Sequence, residues 1–140
     1  MIGGQAVNAY VEPLVSLDLD IAVAVDQIDQ ARKLMQESFT VEEFLHSLNV
    51  SSPGSNLRVQ IQIDPRHGEF VGRASAREVL GLSLPVATLE DVLQGKIWAA
   101  SDPDPRATKR RKDLLDIARI LKANPQLKSR VPAEVVQEIA

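Results

Sequence analysis

The stretch "VSLDLDIAVAV", residues 15–25, joins two signals that seldom share a strand. Its second half, Ile21-Ala22-Val23-Ala24-Val25, is apolar and rich in β-branched residues, as a strand buried in a sheet requires. Its first half carries Asp18 and Asp20, so an extended chain sends both carboxylates out of the same side. Aspartate is a poor strand former and adjacent like charges repel. A strand that begins with such a pair is therefore expected to carry chemistry at the edge of a sheet.

The surrounding sequence supplies the rest of a mixed α+β chain. Upstream, Gly3-Gly4 opens a helical stretch, "GQAVNAYVE", that Pro13 ends. Downstream, Asp26 is placed to cap a helix running to about Ser38, with Ile28, Ala31, Leu34 and Met35 facing inward. Residues 44–50 and 57–63 read as strands joined by the turn-forming "SSPGSN". In the second of these, Leu57, Val59, Ile61 and Ile63 alternate with Arg58, Gln60, Gln62 and Asp64. A short helix over residues 66–76 and a strand over 79–86 follow, and Thr88 with Asp91 starts a helix through Ala100. A helix over 109–123 stops before Asn124-Pro125, and another short one is expected after Pro132. The expected fold is α+β: a small mixed or antiparallel sheet with helices packed on it and helices at the C-terminus.

Composition narrows the function classes. At 140 residues and 44% hydrophobic the chain fits one domain, with a core over about residues 2–123 and a short helical tail over 125–140. A net charge of -3 gives no overall basic field for nucleic acid, and "KRRKD" alone reads as a solvated helix start. The absence of cysteine excludes disulfides and thiolate metal sites. No apolar run approaches the ~20 residues that span a bilayer and no signal-peptide pattern opens the chain, so a cytoplasmic protein with no membrane partner is the expectation. The chain starts almost directly on "IGG", as if a preceding strand had been cut away. A glycine turn anchored only by Met1-Ile2 is expected to be loosely held, with the open sheet edge inviting self-association into a homo-oligomer.

Three carboxylates stand out: Asp18, Asp20 and, on the polar side of the alternating strand, Asp64. Brought close, they could not all stay ionised without a cation, and an all-oxygen set favours Mg²⁺ or Mn²⁺. Gly3 and Gly4, lacking Cβ atoms, let the backbone approach a phosphate. Lys96 falls inside the apolar stripe of Leu89, Val92, Leu93, Ile97 and Ala100, so it needs a carboxylate or phosphate partner or room to snorkel. Asp113 and Asp116 are candidate partners. His46 and His67 are not spaced as a metal pair, and Trp98, opposite the stripe, is expected to pack under the C-terminal segment.

"IGGQAVNAY…SLDLDIAVAV" resembles the glycine-rich turn and aspartate pair of the nucleotidyltransferase (DNA polymerase β-like) superfamily. "LRVQIQIDPR…LPVATLEDVLQGKIWAA…KRRKDLLDIARIL" resembles its branch of small bacterial proteins related to the AbiEii toxins, and the likeness spans about residues 2–125. The resemblance implies transfer of a nucleoside monophosphate from a nucleoside triphosphate (NTP) to an acceptor hydroxyl on a tRNA, a protein or a small molecule. It assigns Asp18, Asp20 and Asp64 to the metals, and Gly3, Gly4, Ser16, Lys96 and Lys112 to nucleotide and phosphate. A second reading stands beside it: a catalytically idle module of the same fold, one half of a toxin–antitoxin-type pair.

Overall fold

The alternation in residues 58–62 builds the centre of the sheet. The computed structural model describes residues 1–11, 18–103 and 107–139, apart from the side chains of residues 107 and 108. In chain order the elements are α1 (Gly3–Asn8), β1 (Asp18–Ala22), α2 (Ile28–Ser38), β2 (Thr40–Glu43), β3 (Ser47–Ser51) and β4 (Arg58–Gln62). They continue with α3 (Gly68–Arg73), β5 (Ser75–Val79), β6 (Leu82–Val86), α4 (Leu89–Ser101), α5 (Ala107–Ala123) and α6 (Ala133–Ile139). β1 to β4 form one sheet in the order β1-β4-β3-β2, with β1 and β4 parallel and the other pairs antiparallel. The fold is therefore α+β with a small mixed sheet and C-terminal helices, as the sequence led one to expect.

Register sorts the two faces of this sheet. Asp20 lies opposite Gln60, and Gln60 opposite Asn49, so one face carries a polar row across three strands. The other face buries Leu48, Val50 and Ile61, against which Met35 and Val41 pack. The main core lies beside the sheet, where Ala6 and Val7 of α1, Val92, Leu93 and Ile97 of α4, and Ile117 and Ile120 of α5 are buried together. The Thr88 hydroxyl accepts from the Asp91 N–H at 3.2 Å to start α4, as a capping residue should. Asp91 in turn takes two hydrogen bonds from Arg73, at 2.8 and 3.0 Å, which ties α3 to the head of α4.

Several local expectations are corrected. β2 occupies residues that the hydrophobic pattern left unassigned, because "TVEE" carries one apolar side chain and pairs at the sheet edge. The strand expected over 44–50 begins only at Ser47, after a turn in which the Phe44 N–H donates to the Ser47 carbonyl. The helix expected to run to Ala76 stops at Arg73, and the single strand over 79–86 is instead the hairpin β5–β6. Leu80 and Gly81 both have positive φ, 54° and 77°, the geometry a tight two-residue hairpin turn demands. Asp26 sits inside a 3₁₀ turn (Val25–Gln27) and not at the N-cap of α2, which is Gln27, while Leu34 of α2 is 52% exposed.

The N-terminus is better held than its shortness suggested. The Ile2 N–H donates to the Asp20 carbonyl at 2.9 Å in an antiparallel bridge, and the Met1 carbonyl accepts from the Ala87 N–H at 3.0 Å. The Ile2 side chain is buried in the main core, so these two residues help tie the glycine turn to β1.

Candidate active site

Asp20 occupies the point where α1, β1, α4 and α5 converge. Gly3 is held at φ +73°, and a Cβ there would stand 2.0 Å from Asp20 Oδ2 and 2.7 Å from its Cβ and Cγ. The residue must therefore be glycine twice over, for its backbone and for the carboxylate lying on it. Gly4 has no such constraint: a Cβ would meet Asp116 Oδ2 at 3.6 Å and Lys112 Cε at 3.9 Å, ordinary contacts. Ser16 lies outside the described residues.

The two aspartates of β1 sit in contrasting surroundings. Burial pushes the Asp20 carboxyl above its ordinary range; the Lys96 charge opposes this, Asp18 adds to it, and Lys109 and Lys112 oppose it. Asp18 is about half exposed, with Oδ2 at 3.8 Å from Lys112 Nζ and Oδ1 at 3.6 Å from Arg58 Nε. The pair thus faces the basic side of α5, with Asp20 partly buried against Gly3 and Asp18 about half exposed.

Asp64 reaches the same cavity but not the same cluster. A cavity of about 610 Å³ is lined by Gly3, Asp20, Gln60, Gln62, Asp64, Lys96, Lys109 and Asp113. That volume is in the range of small-ligand sites. Asp64, however, caps a 3₁₀ turn (Pro65–His67): its Oδ1 accepts from the Arg66 N–H at 3.0 Å and its Oδ2 from Arg66 Nε at 2.9 Å. Burial pushes the Asp64 carboxyl up, but these bonds and the Arg66 charge outweigh it and hold the group below its ordinary range. Among the described residues no group of three or more acidic or histidine side chains is placed to hold a metal. Both oxygens of Asp64 are thus engaged by Arg66, while Asp18 and Asp20 face the lysines of α4 and α5.

Lys96 is buried inside its apolar stripe as the pattern required, and its partner is a carboxylate pair. Its Nζ lies 2.9 Å from both Asp113 Oδ1 and Asp116 Oδ2. Burial lowers the ammonium's affinity for its proton, yet the two carboxylates outweigh burial and hold it above the ordinary lysine range. Both aspartates are almost wholly enclosed, and Asp113 Oδ2 has no hydrogen-bond partner among the described residues. Lys112, the other lysine expected at phosphate, is half exposed between Asp18 and Gly4.

The far end of the cavity is aromatic. Trp98 stacks on Phe70 with centroids 5.6 Å apart and rings 2° from parallel, and His67 meets both edge-on. Arg66 covers the Trp98 ring at 5.0 Å. Trp98 therefore packs against α3 and the Pro65–His67 turn, not under the C-terminal segment. His67 is half buried here, and desolvation pushes its imidazole below the ordinary range, so it is neutral at pH 7.

Sequence reasoning missed Lys109, whose charge reaches Asp20 and whose side chain lines the cavity. The signal was present: Lys109 lies three residues before Lys112 and four before Asp113, on one face of α5. It also missed Arg119, which donates to Asp116 at 2.7 Å and to Asn8 at 2.8 Å, a contact over 111 residues that no local pattern encodes.

No helix among the described residues is long and apolar enough to cross a membrane. Among curated proteins, none matches the chain significantly. A family model does match residues 5–139, nearly the whole chain, and its description is the nucleotidyl transferase AbiEii toxin of a type IV toxin–antitoxin system. With the acidic strand, the glycine turn and the lysine–aspartate helices in one cavity, the chain belongs to the AbiEii nucleotidyl transferase toxin family.

Proposed function

We propose that this chain transfers a nucleoside monophosphate from an NTP to an acceptor hydroxyl, with Asp18 and Asp20 as its central carboxylates. The observation that carries this reading is the partly buried Asp20, packed on Gly3 and faced by Lys96, Lys109 and Lys112. Such a carboxylate is costly to bury unless a cation relieves it, and oxygen donors suit Mg²⁺ or Mn²⁺. Asp18 and Asp20 would hold that ion, which supplies charge neutralisation at phosphate oxygens when bound. Lys109 and Lys112 bind the triphosphate, and the Gly3-Gly4 turn approaches it from the other side. The acceptor oxygen forms a bond to the α-phosphorus, the bond to the β-phosphate oxygen breaks, pyrophosphate leaves, and Asp20 receives the acceptor's proton. The antitoxin expected of such a system is the protein partner that this reading implies.

A specific observation favours the alternative of an idle module: Arg66 occupies both oxygens of Asp64, so the third carboxylate is spoken for. Calorimetric titration with Mg²⁺ and each of the four NTPs separates the two readings. Binding that Asp20→Asn abolishes, with label from an α-³²P NTP entering a tRNA, protein or small-molecule acceptor, supports the enzyme. NTP binding without transfer to any acceptor leaves the module, and no binding at all refutes the enzyme.

A further inference from the structure

A line of buried and partly buried polar groups runs beside the apolar core and ends at the helix that presents Gly3. Lys96 of α4 pairs with Asp116 of α5, Asp116 Oδ1 accepts from Arg119 Nη1 at 2.7 Å, and Arg119 Nη2 donates to Asn8 Oδ1 at 2.8 Å. Asn8 Nδ2 then donates to Gln5 Oε1 at 3.2 Å, and Gln5 is 3% exposed. Burying such a chain gains little over well-packed apolar side chains; its clearest effect is to fix one geometry. The helix it grips is α1, six residues long and too short to hold its own shape or orientation. A rotation of α1 moves Gly3, and Gly3 has no clearance from Asp20.

We propose that Arg119 is a positioning residue: by spanning Asp116 and Asn8 it fixes the rotation of α1 and so holds Gly3 and Ile2 against Asp20. The consequence for nucleotide rests on the nucleotidyl-transfer reading; the mechanical link does not. Arginine is required because its two terminal nitrogens reach two acceptors in fixed directions, whereas a lysine has one head group and satisfies one of them.

The reporters are backbone amides whose acceptors are known. Ile2 donates to Asp20, Ala9 to Ala6, and Tyr10 and Val11 both to Val7. Hydrogen exchange is followed on wild type, Arg119→Lys, Asn8→Ala and Asn8→Asp, the last keeping an acceptor for the guanidinium. Arg119→Lys and Asn8→Ala are expected to exchange about tenfold faster at these four amides, the scale of losing one charged hydrogen bond. Asn8→Asp is expected to retain wild-type protection, and amides of the β3–β4 ladder should be unchanged in all three variants. Unchanged protection at Ile2 in both loss variants overturns the proposal, as does a uniform rise across the molecule. Titration with Mg²⁺ and ATP, GTP, CTP and UTP adds the functional arm, where Arg119→Lys should bind about tenfold more weakly. If wild type binds no NTP, the nucleotidyl-transfer reading fails while the exchange result still decides the positioning role. If wild type binds and Arg119→Lys binds equally well, the link to the site is overturned.

Discussion

Replacing Gly3 by alanine adds one carbon at the point where the site has no room. Two costs follow separately. A non-glycine residue at φ +73° costs about 1–2 kcal/mol through contact between its Cβ and the following carbonyl. The same Cβ would stand 2.0 Å from Asp20 Oδ2 and 2.7 Å from Asp20 Cβ. Rotating the carboxylate relieves the first contact but not the second, so the backbone of residues 2–3 or of β1 must shift, at about 1–3 kcal/mol. The sum is about 2–5 kcal/mol, which for a chain of this size lowers the melting temperature by roughly 7–17 °C. Gly4→Ala is the matched control. Its Cβ meets nothing closer than 3.6 Å, and at a helical position with no positive φ alanine loses less backbone freedom on folding than glycine. Thermal melts by circular dichroism should therefore move in opposite directions for neighbouring glycines, and Gly3→Ala should also lose Mg²⁺–NTP binding by titration. Gly3→Ala melting within 2–3 °C of wild type, a shift of under about 1 kcal/mol, would refute the reasoning.

Other perturbations test the charged groups one at a time. Lys96→Met strands the enclosed Asp113, leaves Asp116 with Arg119 alone, and should cost about 3–5 kcal/mol in urea unfolding, partly recovered when Asp113→Asn is added; a variant as stable as wild type refutes the buried ion pair. Asp20 has its carboxyl raised by burial, so its contribution to stability is present below the ordinary value of 3.8 and is lost as pH rises through the raised one. Asp20→Asn should accordingly melt higher than wild type at pH 7, with the gap closing towards pH 3; a lower melting point at pH 7 contradicts this. Asp64 has the opposite sign, held down by Arg66, and its contribution is present at neutral pH and lost in acid. Arg66→Gln should melt below wild type at pH 7, with the deficit shrinking as pH falls below 4. Trp98 is the chain's single tryptophan and lines the cavity, so saturating NTP with Mg²⁺ should change its fluorescence; a flat titration alongside calorimetric binding places the nucleotide elsewhere.

What the sequence disclosed follows the range of the forces involved. Asp18, Asp20 and the alternation through Gln60 and Gln62 were readable because a strand's two-residue period assigns faces without knowledge of the partner. Lys96 was readable for the same reason at helical period, and its enclosure beside Asp113 and Asp116 agrees with that reading. Asp64 shows the limit: the period put it on the correct face, but a bond to its own second neighbour, Arg66, decided what its oxygens do. The hairpin at Leu80-Gly81 escaped because leucine rarely adopts positive φ, so the turn carried no recognisable residue pair. Trp98 was misplaced because its ring is oriented by Phe70 and Arg66, which meet it only after α3 folds onto α4.

The spacing of the site along the chain has a consequence for how the protein is made. The acidic residues Asp18 and Asp20 are synthesised before β2 to β6, whereas Lys96, Lys109, Lys112 and Arg119 come after those strands. Nascent chains leave the ribosome at about 5–20 residues per second, so for several seconds the carboxylates exist without the cations that face them. A fragment released before α5 is complete carries the aspartate strand but lacks the opposing wall of the cavity, the ion pair in the core and the brace on α1. Both walls of the cavity, and the ion pair of Lys96 with Asp113 and Asp116, therefore exist only once α5 has been made.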